Sequence, residues 1–134
     1  MYDFTIGKGM MSDSKTTIRE LRDRVAEFRK ARGWDSDPNA KNKAISLVIE
    51  ATELLEHFQW YESGEVLGNK KRKVEVVDEL ADVLYWVLAL ADNLEIDLAE
   101  ALVNKMKKGA KKYPAGKMSL ERYYKLRNAH RGKR

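Results

Sequence analysis

VVDELADVLYWVLALAD, Val76 to Asp92, and LVIEATELLEHFQW, Leu47 to Trp60, are the two stretches that decide the fold. Neither alternates polar and apolar residues as a half-buried strand does; both repeat apolar residues at the three-and-four spacing of a helix. Taking Glu79 as origin and advancing about 100° per residue, Asp82 falls at about −60°, Trp86 at about −20° and Leu90 at about 20°. The acids therefore share a side with large apolar groups. Val77, Ala81, Leu84 and Leu88 make the opposite side apolar too, so this helix is expected to be buried nearly all round. Carboxylates at the edge of such a helix must be paired, protonated or bound to a cation, because bare buried charge is costly.

Glu50 and Glu53 repeat the same spacing on the other stretch, and residues three apart on a helix stand on adjacent turns with Cβ atoms about 5–6 Å apart. Antiparallel packing of the two helices can join both pairs into a four-carboxylate oxygen site of the hard-ligand type that suits Mg²⁺ or Mn²⁺. A single E-x-x-E is weak evidence, since any solvated helix face can produce one. The competing reading is that the acids cap helices or pair with Lys and Arg. Glu56 and Asp78 suit that structural role better, lying roughly 70–90° round the helix from the nearer acidic pair. Glu75 is ambiguous, one turn before Glu79 on the same stripe.

Outward from this pair, a first helix is expected from about Lys15 to Ala31, capped by Ser14 or Thr16, with Ile18, Leu21, Val25 and Phe28 as its apolar stripe. Gly33 ends it, and GWDSDPN (Gly33 to Asn39) reads as a loop carrying Trp34. The second helix should run from Asn39 or Ala40 to about Tyr61, burying Ala44, Leu47, Val48, Ala51, Leu54, Leu55 and Phe58. Ser63-Gly64 and Gly68 mark a break. A third helix follows from about Lys71 to Asn93, a fourth from about Leu98 to Lys111 after an Asp97 cap, and a weaker fifth from Ser119 to Asn128. The fold class is all-α, a four-helix-bundle-like arrangement whose central pair is helices two and three.

With 134 residues the chain fits one domain with a modest core, and 43% hydrophobic against 35% charged residues suits a soluble helical protein rather than a disordered one. The absence of cysteine excludes disulfides, zinc–thiolate sites and thiol nucleophiles, and fits a cytoplasmic home. Val83 to Ala91, the longest uncharged apolar run, falls far short of the roughly 20 residues that span a bilayer, so no membrane partner is expected. MYDFTIGKGMMSDSK lacks a signal-peptide pattern. The expected organisation is a disordered leader over 1–14, a main helical domain over 15–114 and a basic, partly helical extension over 115–134.

The net charge of +5 conceals an asymmetry. Met1 to Ile49 carries 10 basic and 7 acidic residues, Glu50 to Glu100 carries 4 and 13, and Ala101 to Arg134 carries 12 and 1. An acidic middle beside a basic tail suits a cation site next to a polyanion site. The plainer readings are a solvated tail or a nonspecific nucleic-acid patch.

The two opening stretches resemble the all-α MazG-type nucleotide pyrophosphohydrolases, especially their dCTP pyrophosphatase-like branch. Supporting marks are RGW (Arg32 to Trp34), KN (Lys41-Asn42), FQW (Phe58 to Trp60), IDLAEA (Ile96 to Ala101), KM (Lys105-Met106) and KKYP (Lys111 to Pro114). The resemblance extends from about Ile18 to Pro114. It implies hydrolysis of a nucleoside triphosphate to monophosphate and pyrophosphate, with Mg²⁺ held by Glu50, Glu53, Glu79 and Asp82. Glu53, ahead of Glu50, is the candidate for orienting or deprotonating the attacking water. Lys41, Lys105, Lys108, Lys112 and the Tyr113 hydroxyl are candidates for the phosphates. Trp34 and Trp60 match positions that enclose the base in that branch.

The sequence departs from the branch where its members carry a histidine, a tyrosine and an asparagine: Val25, Trp86 and Gly109 stand at those positions, with Trp86 kept as a substrate-binding candidate. Base-reading hydrogen bonds should be altered accordingly. The resemblance also implies a homodimer or homotetramer and a housecleaning role on deoxynucleotides, canonical or not. A ferritin-like metal protein would need Glu-x-x-His on two helices, and His57, four residues after Glu53, breaks that pattern. A nucleic-acid-binding or adaptor protein using the tail from Lys105 to Arg134 is the other alternative, without a zinc finger or P-loop to support it.

Overall fold

The computed structural model describes residues 11–131. Among them lie six helices: α1 (Ile18–Lys30), α2 (Ala40–Glu56), α3 (Ser63–Gly68), α4 (Lys70–Asn93), α5 (Leu98–Lys112) and α6 (Leu120–Arg131). No strand occurs among the described residues, so the all-α expectation holds.

α1 starts from a cap other than those expected. Thr17 accepts from the Glu20 amide at 3.2 Å, and its own amide donates to Glu20 Oε2 at 2.6 Å. This reciprocal box requires an acid three residues after the cap, and neither Ser14 nor Thr16 has one. Of the expected leader, Asp13 and Ser14 lie in a turn over 13–15, which the Ser12 carbonyl closes by accepting from the Lys15 and Thr16 amides, each at 2.9 Å. The first ten residues lie outside the described ones.

At its other end α1 closes through Gly33, whose φ of 69° a side chain would resist. The Gly33 amide reaches the Lys30 carbonyl and the Trp34 amide reaches the Arg29 carbonyl, both at 3.0 Å, which fixes where Trp34 leaves the helix.

α2 stops at Glu56, short of the expected Tyr61, because the Phe58 and Gln59 amides turn back to the carbonyls of Leu55 and Glu56 at 2.9 and 3.3 Å, tightening the last turn. The expected break contains α3. Its Val66 is fully buried, and packing against α4 outweighs the low helix propensity of Gly64 and Gly68.

Two compact units make up the chain, one ending at Ile96 and one beginning at Asp97. In the first, α4 packs on both α2 and α1. Glu50 meets Trp86 while His57, further along α2, meets Glu75, so α2 and α4 run antiparallel. Arg22 reaches Asp92 and Arg29 reaches Tyr85, so α1 is antiparallel to α4 as well. The second unit holds α5, capped by Asp97 as expected through the Glu100 amide at 2.9 Å, and α6.

The expected burial of the central pair is only partly met. Leu88, Ala89 and Ala91 are buried along α4, but Val77, Leu80 and Leu84 are exposed, as are Val48 and Leu55 on α2. The helices of the first unit leave these apolar positions of α2 and α4 uncovered. Leu88→Ala should cost roughly 2–5 kcal/mol, whereas Leu55→Ala should cost well under that. Urea unfolding of the two variants checks the difference.

Candidate active site

Spacing on α2 and antiparallel packing on α4 produce one carboxylate cluster. An oxygen from each of Glu50, Glu53 and Glu79 lies within 4.8 Å of the others. Asp82 stands outside that trio, but its charge still acts on Glu79. Glu79 Oε2 is buried and accepts no hydrogen bond from any of the described residues. Burial pushes the Glu79 carboxyl above its ordinary value, and the charges of Glu53, Asp82 and Glu50 push it further, with His57 in weak opposition.

A single donor steadies the cluster from α4: the Trp86 indole Nε1–H donates to Glu50 Oε1 at 3.3 Å. Glu53 is exposed while Glu50 and Glu79 are half-buried, so the cluster opens to solvent on the Glu53 side. Glu75, ambiguous by sequence, is drawn away: it stands 3.8 Å from both His57 Nδ1 and Lys71 Nζ. Hard oxygen ligands close together, on acids one of which also keeps a buried oxygen with no hydrogen bond among the described residues, fit a divalent cation of the Mg²⁺ or Mn²⁺ kind.

The remaining expected residues divide between the units. Trp34 is half-exposed in the loop after α1, its ring edge-on to Phe28 at 6.1 Å. Trp60, 79% exposed, follows α2 and has almost no packing of its own. Lys41 is exposed in the first turn of α2, its amide donating to the Asn39 cap at 3.0 Å. In the second unit, Lys105, Lys108 and Lys112 project from α5, and Tyr113 ends that helix with its ring edge-on to Tyr123 at 5.3 Å. Trp86 lies edge-on to Tyr85 at 5.1 Å. Val25 lines an apolar cleft of about 300 Å³ between α1 and α4, with Phe28, Leu84 and Tyr85.

Two buried cations stand outside the expected site residues. Lys43 donates to the Asp37 carbonyl at 2.7 Å, pinning the loop before α2. Arg29 donates to the Trp34 carbonyl at 3.0 Å and to the Tyr85 hydroxyl at 3.2 Å. Each had a signal, since Lys43 sits four residues before Leu47 and Arg29 four after Val25, on the apolar side of its helix.

A helical protein with a carboxylate cluster between antiparallel helices is the class these features define. Residues 45–126 match the model of the MazG-like family, and the chain belongs to that family, as a dCTP pyrophosphatase-like member. It is 35% identical to dCTP pyrophosphatase 1 of Rattus norvegicus over 101 residues, 73% of this chain and 59% of the rat protein. To dCTP pyrophosphatase 1 of Homo sapiens it is 34% identical over 115 residues, 83% of this chain and 68% of the human one. The match thus spans about three fifths of the rat protein's length. A pyrophosphatase of known structure from Archaeoglobus fulgidus aligns with a TM-score of 0.66 at 42% identity, covering 78% of this chain and 98% of that one.

Glu79 yields a pH prediction. Folding raises its pKa, so between the ordinary carboxylate value and the raised one the folded state binds more protons than the unfolded. Stability of the cation-free protein must therefore fall as pH rises through that interval. Glu79→Gln should remove that slope and melt higher than the parent in EDTA at neutral pH, as read by thermal denaturation across pH.

Proposed function

We propose that this chain hydrolyses nucleoside triphosphates between the α and β phosphates, releasing the monophosphate and pyrophosphate, with Mg²⁺ as its cofactor and Mn²⁺ as a substitute. The observation that carries this is the convergence of one carboxylate oxygen from each of Glu50, Glu53 and Glu79 within 4.8 Å. The activity for which the relatives are named, dCTP pyrophosphatase and pyrophosphatase, supports the same reaction.

In this reading Glu50, Glu53 and Glu79 hold the cation, and Asp82 joins them from the next turn of α4. When bound, the cation neutralises phosphate oxygens and lowers the pKa of an attacking water. Glu53, the exposed member, is free to orient that water in line with the anhydride and take its proton, whereas Glu50 already accepts from Trp86. Lys41, Lys105, Lys108, Lys112 and the Tyr113 hydroxyl supply positive charge and a donor for the phosphates.

Trp34 and Trp60 offer flat rings to the base. With Val25, Trp86 and Gly109 where the branch has polar groups, the substrate class is deoxynucleoside triphosphates read loosely, non-canonical ones included, in a cytoplasmic housecleaning role. Exposed Val48, Leu55, Val77 and Leu80 support assembly as a homodimer or homotetramer that covers them.

Pyrophosphate release should require Mg²⁺, and Glu53→Gln should lower kcat by roughly 10²–10⁴-fold. A panel of canonical and damaged deoxynucleoside and ribonucleoside triphosphates, assayed for pyrophosphate, tests reaction and selectivity together. A tail-driven nucleic-acid binder would instead release no pyrophosphate and keep its affinity in EDTA. Light scattering should give a mass of two or four chains, and a monomer at micromolar concentration would refute the assembly.

A further inference from the structure

Arg29 is 7% exposed, and among the described residues no carboxylate stands within ion-pair distance of it; Asp37 feels its charge only at longer range. Its polar contacts are neutral: the Trp34 carbonyl at 3.0 Å and the Tyr85 hydroxyl at 3.2 Å. A buried guanidinium without a contacting counterion is costly to fold, so a Leu or Met would serve better if filling space were its only task. Three further contacts say what it does. Its backbone carbonyl accepts from the Trp34 amide at 3.0 Å, so one residue clamps Trp34 through both backbone groups. Its guanidinium carbon lies 5.3 Å from the centre of the Trp86 ring, within reach of a cation–π attraction. The Nε1–H of that indole donates to Glu50.

The geometry points to Arg29 as a positioning residue that sets Glu50 through Trp86 and ties the cation site to the Trp34 loop. Tyr85, held by Arg29 and edge-on to Trp86 at 5.1 Å, closes the packing around the indole. The ring is thereby fixed from two sides, and its N–H remains directed at Glu50 Oε1. A carboxylate held in one rotamer loses less freedom on taking a cation, and a donor on one oxygen leaves the other for the ion. The same clamp holds the base-side Trp34 at a fixed distance from the acids, so movement of the loop and of Glu50 are linked through one side chain. This role rests on the proposed cation site.

The experiment is Mn²⁺ binding to the full chain without nucleotide, read as free Mn²⁺ by electron paramagnetic resonance, with melting temperature recorded alongside. Trp86→Phe keeps an aromatic ring and removes the N–H, and should raise the Mn²⁺ dissociation constant by roughly 10-fold. Arg29→Met should produce a loss of similar size, and the double variant should be little worse than Trp86→Phe alone, because both act along one path. Arg29→Lys should not restore binding, since an ammonium cannot hold the Trp34 carbonyl and the Tyr85 hydroxyl as a planar fork does.

Glu50→Gln serves as the control for the site itself. If the parent binds Mn²⁺, Glu50→Gln loses it, and Trp86→Phe binds like the parent, the positioning role is overturned while the site stands. The role is equally overturned if the variants only melt lower at unchanged affinity, or if the two losses are fully additive. If the parent binds no Mn²⁺ that Glu50→Gln abolishes, the cation site fails and this role fails with it. Should Arg29→Met not fold, Trp86→Phe alone decides.

Discussion

Glu79 Oε2 has left water without gaining a hydrogen bond, and it has done so beside three other acids. Folding that oxygen away is unfavourable on both counts, by desolvation and by repulsion of like charges. The rest of the first unit is arranged so that this placement is tolerated. α4 is apolar enough to be drawn between α1 and α2 whatever its acids prefer, and Leu88, Ala89 and Ala91 secure its far half. Toward the other end, His57 and Lys71 gather Glu75 and keep a further negative charge from joining the cluster. Hydrophobic packing thus holds carboxylates where electrostatics alone would separate them, the arrangement of a site whose counter-charge arrives with a ligand.

The same constraint explains the thin core. Few side chains are fully buried, and α2 and α4 leave Val48, Leu55, Val77, Leu80 and Leu84 exposed. These are not scattered surface residues but recurring positions on two packed helices. A helix that lends one face to acids and another to a neighbouring helix has little left with which to bury a third. Small domains are marginal for want of buried area, and an apolar face left over after one chain has folded is a resource for assembly.

Helix existence and type were legible because hydrophobic period is a property of the sequence itself: α1, α2, α4, α5 and α6 all occur where apolar spacing places them. The clustering of Glu50, Glu53 and Glu79 was legible for the same reason, since spacing fixes their face and antiparallel packing of neighbours was the natural topology. Four features were not. The end of α2 depends on turns that hydrogen-bond locally, which no period reports. α3 looked like a break because two glycines flank Val66, and only packing against α4 shows that Val66 has somewhere to go. Arg29 and Lys43 are charged, and charged residues are usually solvated; the carbonyls that hold them buried exist at every position, so their place on the apolar side of a helix is the signal the sequence carries. Asp82 shared the spacing yet stands apart from the trio, since a side chain's rotamer is not set by its helical angle.

Under the proposed function, reaction and selectivity rest on different parts of this molecule, and they are specified with different strength. The acids project from two long helices packed on each other, so their relative positions are fixed by many contacts. The groups available to read a base are of another kind: Trp34 and Trp60 sit in connections rather than helices, and Val25 presents no polar atom to the cleft it lines. Shape and stacking discriminate by about 1–3 kcal/mol, whereas a buried donor or acceptor left unpaired by the wrong base can discriminate by a factor of about 10⁴ or more. Trp86 does own a donor, but that N–H is committed to Glu50 and serves the acids rather than a substrate. A chain built this way can hold its chemistry rigidly while its choice of base stays permissive.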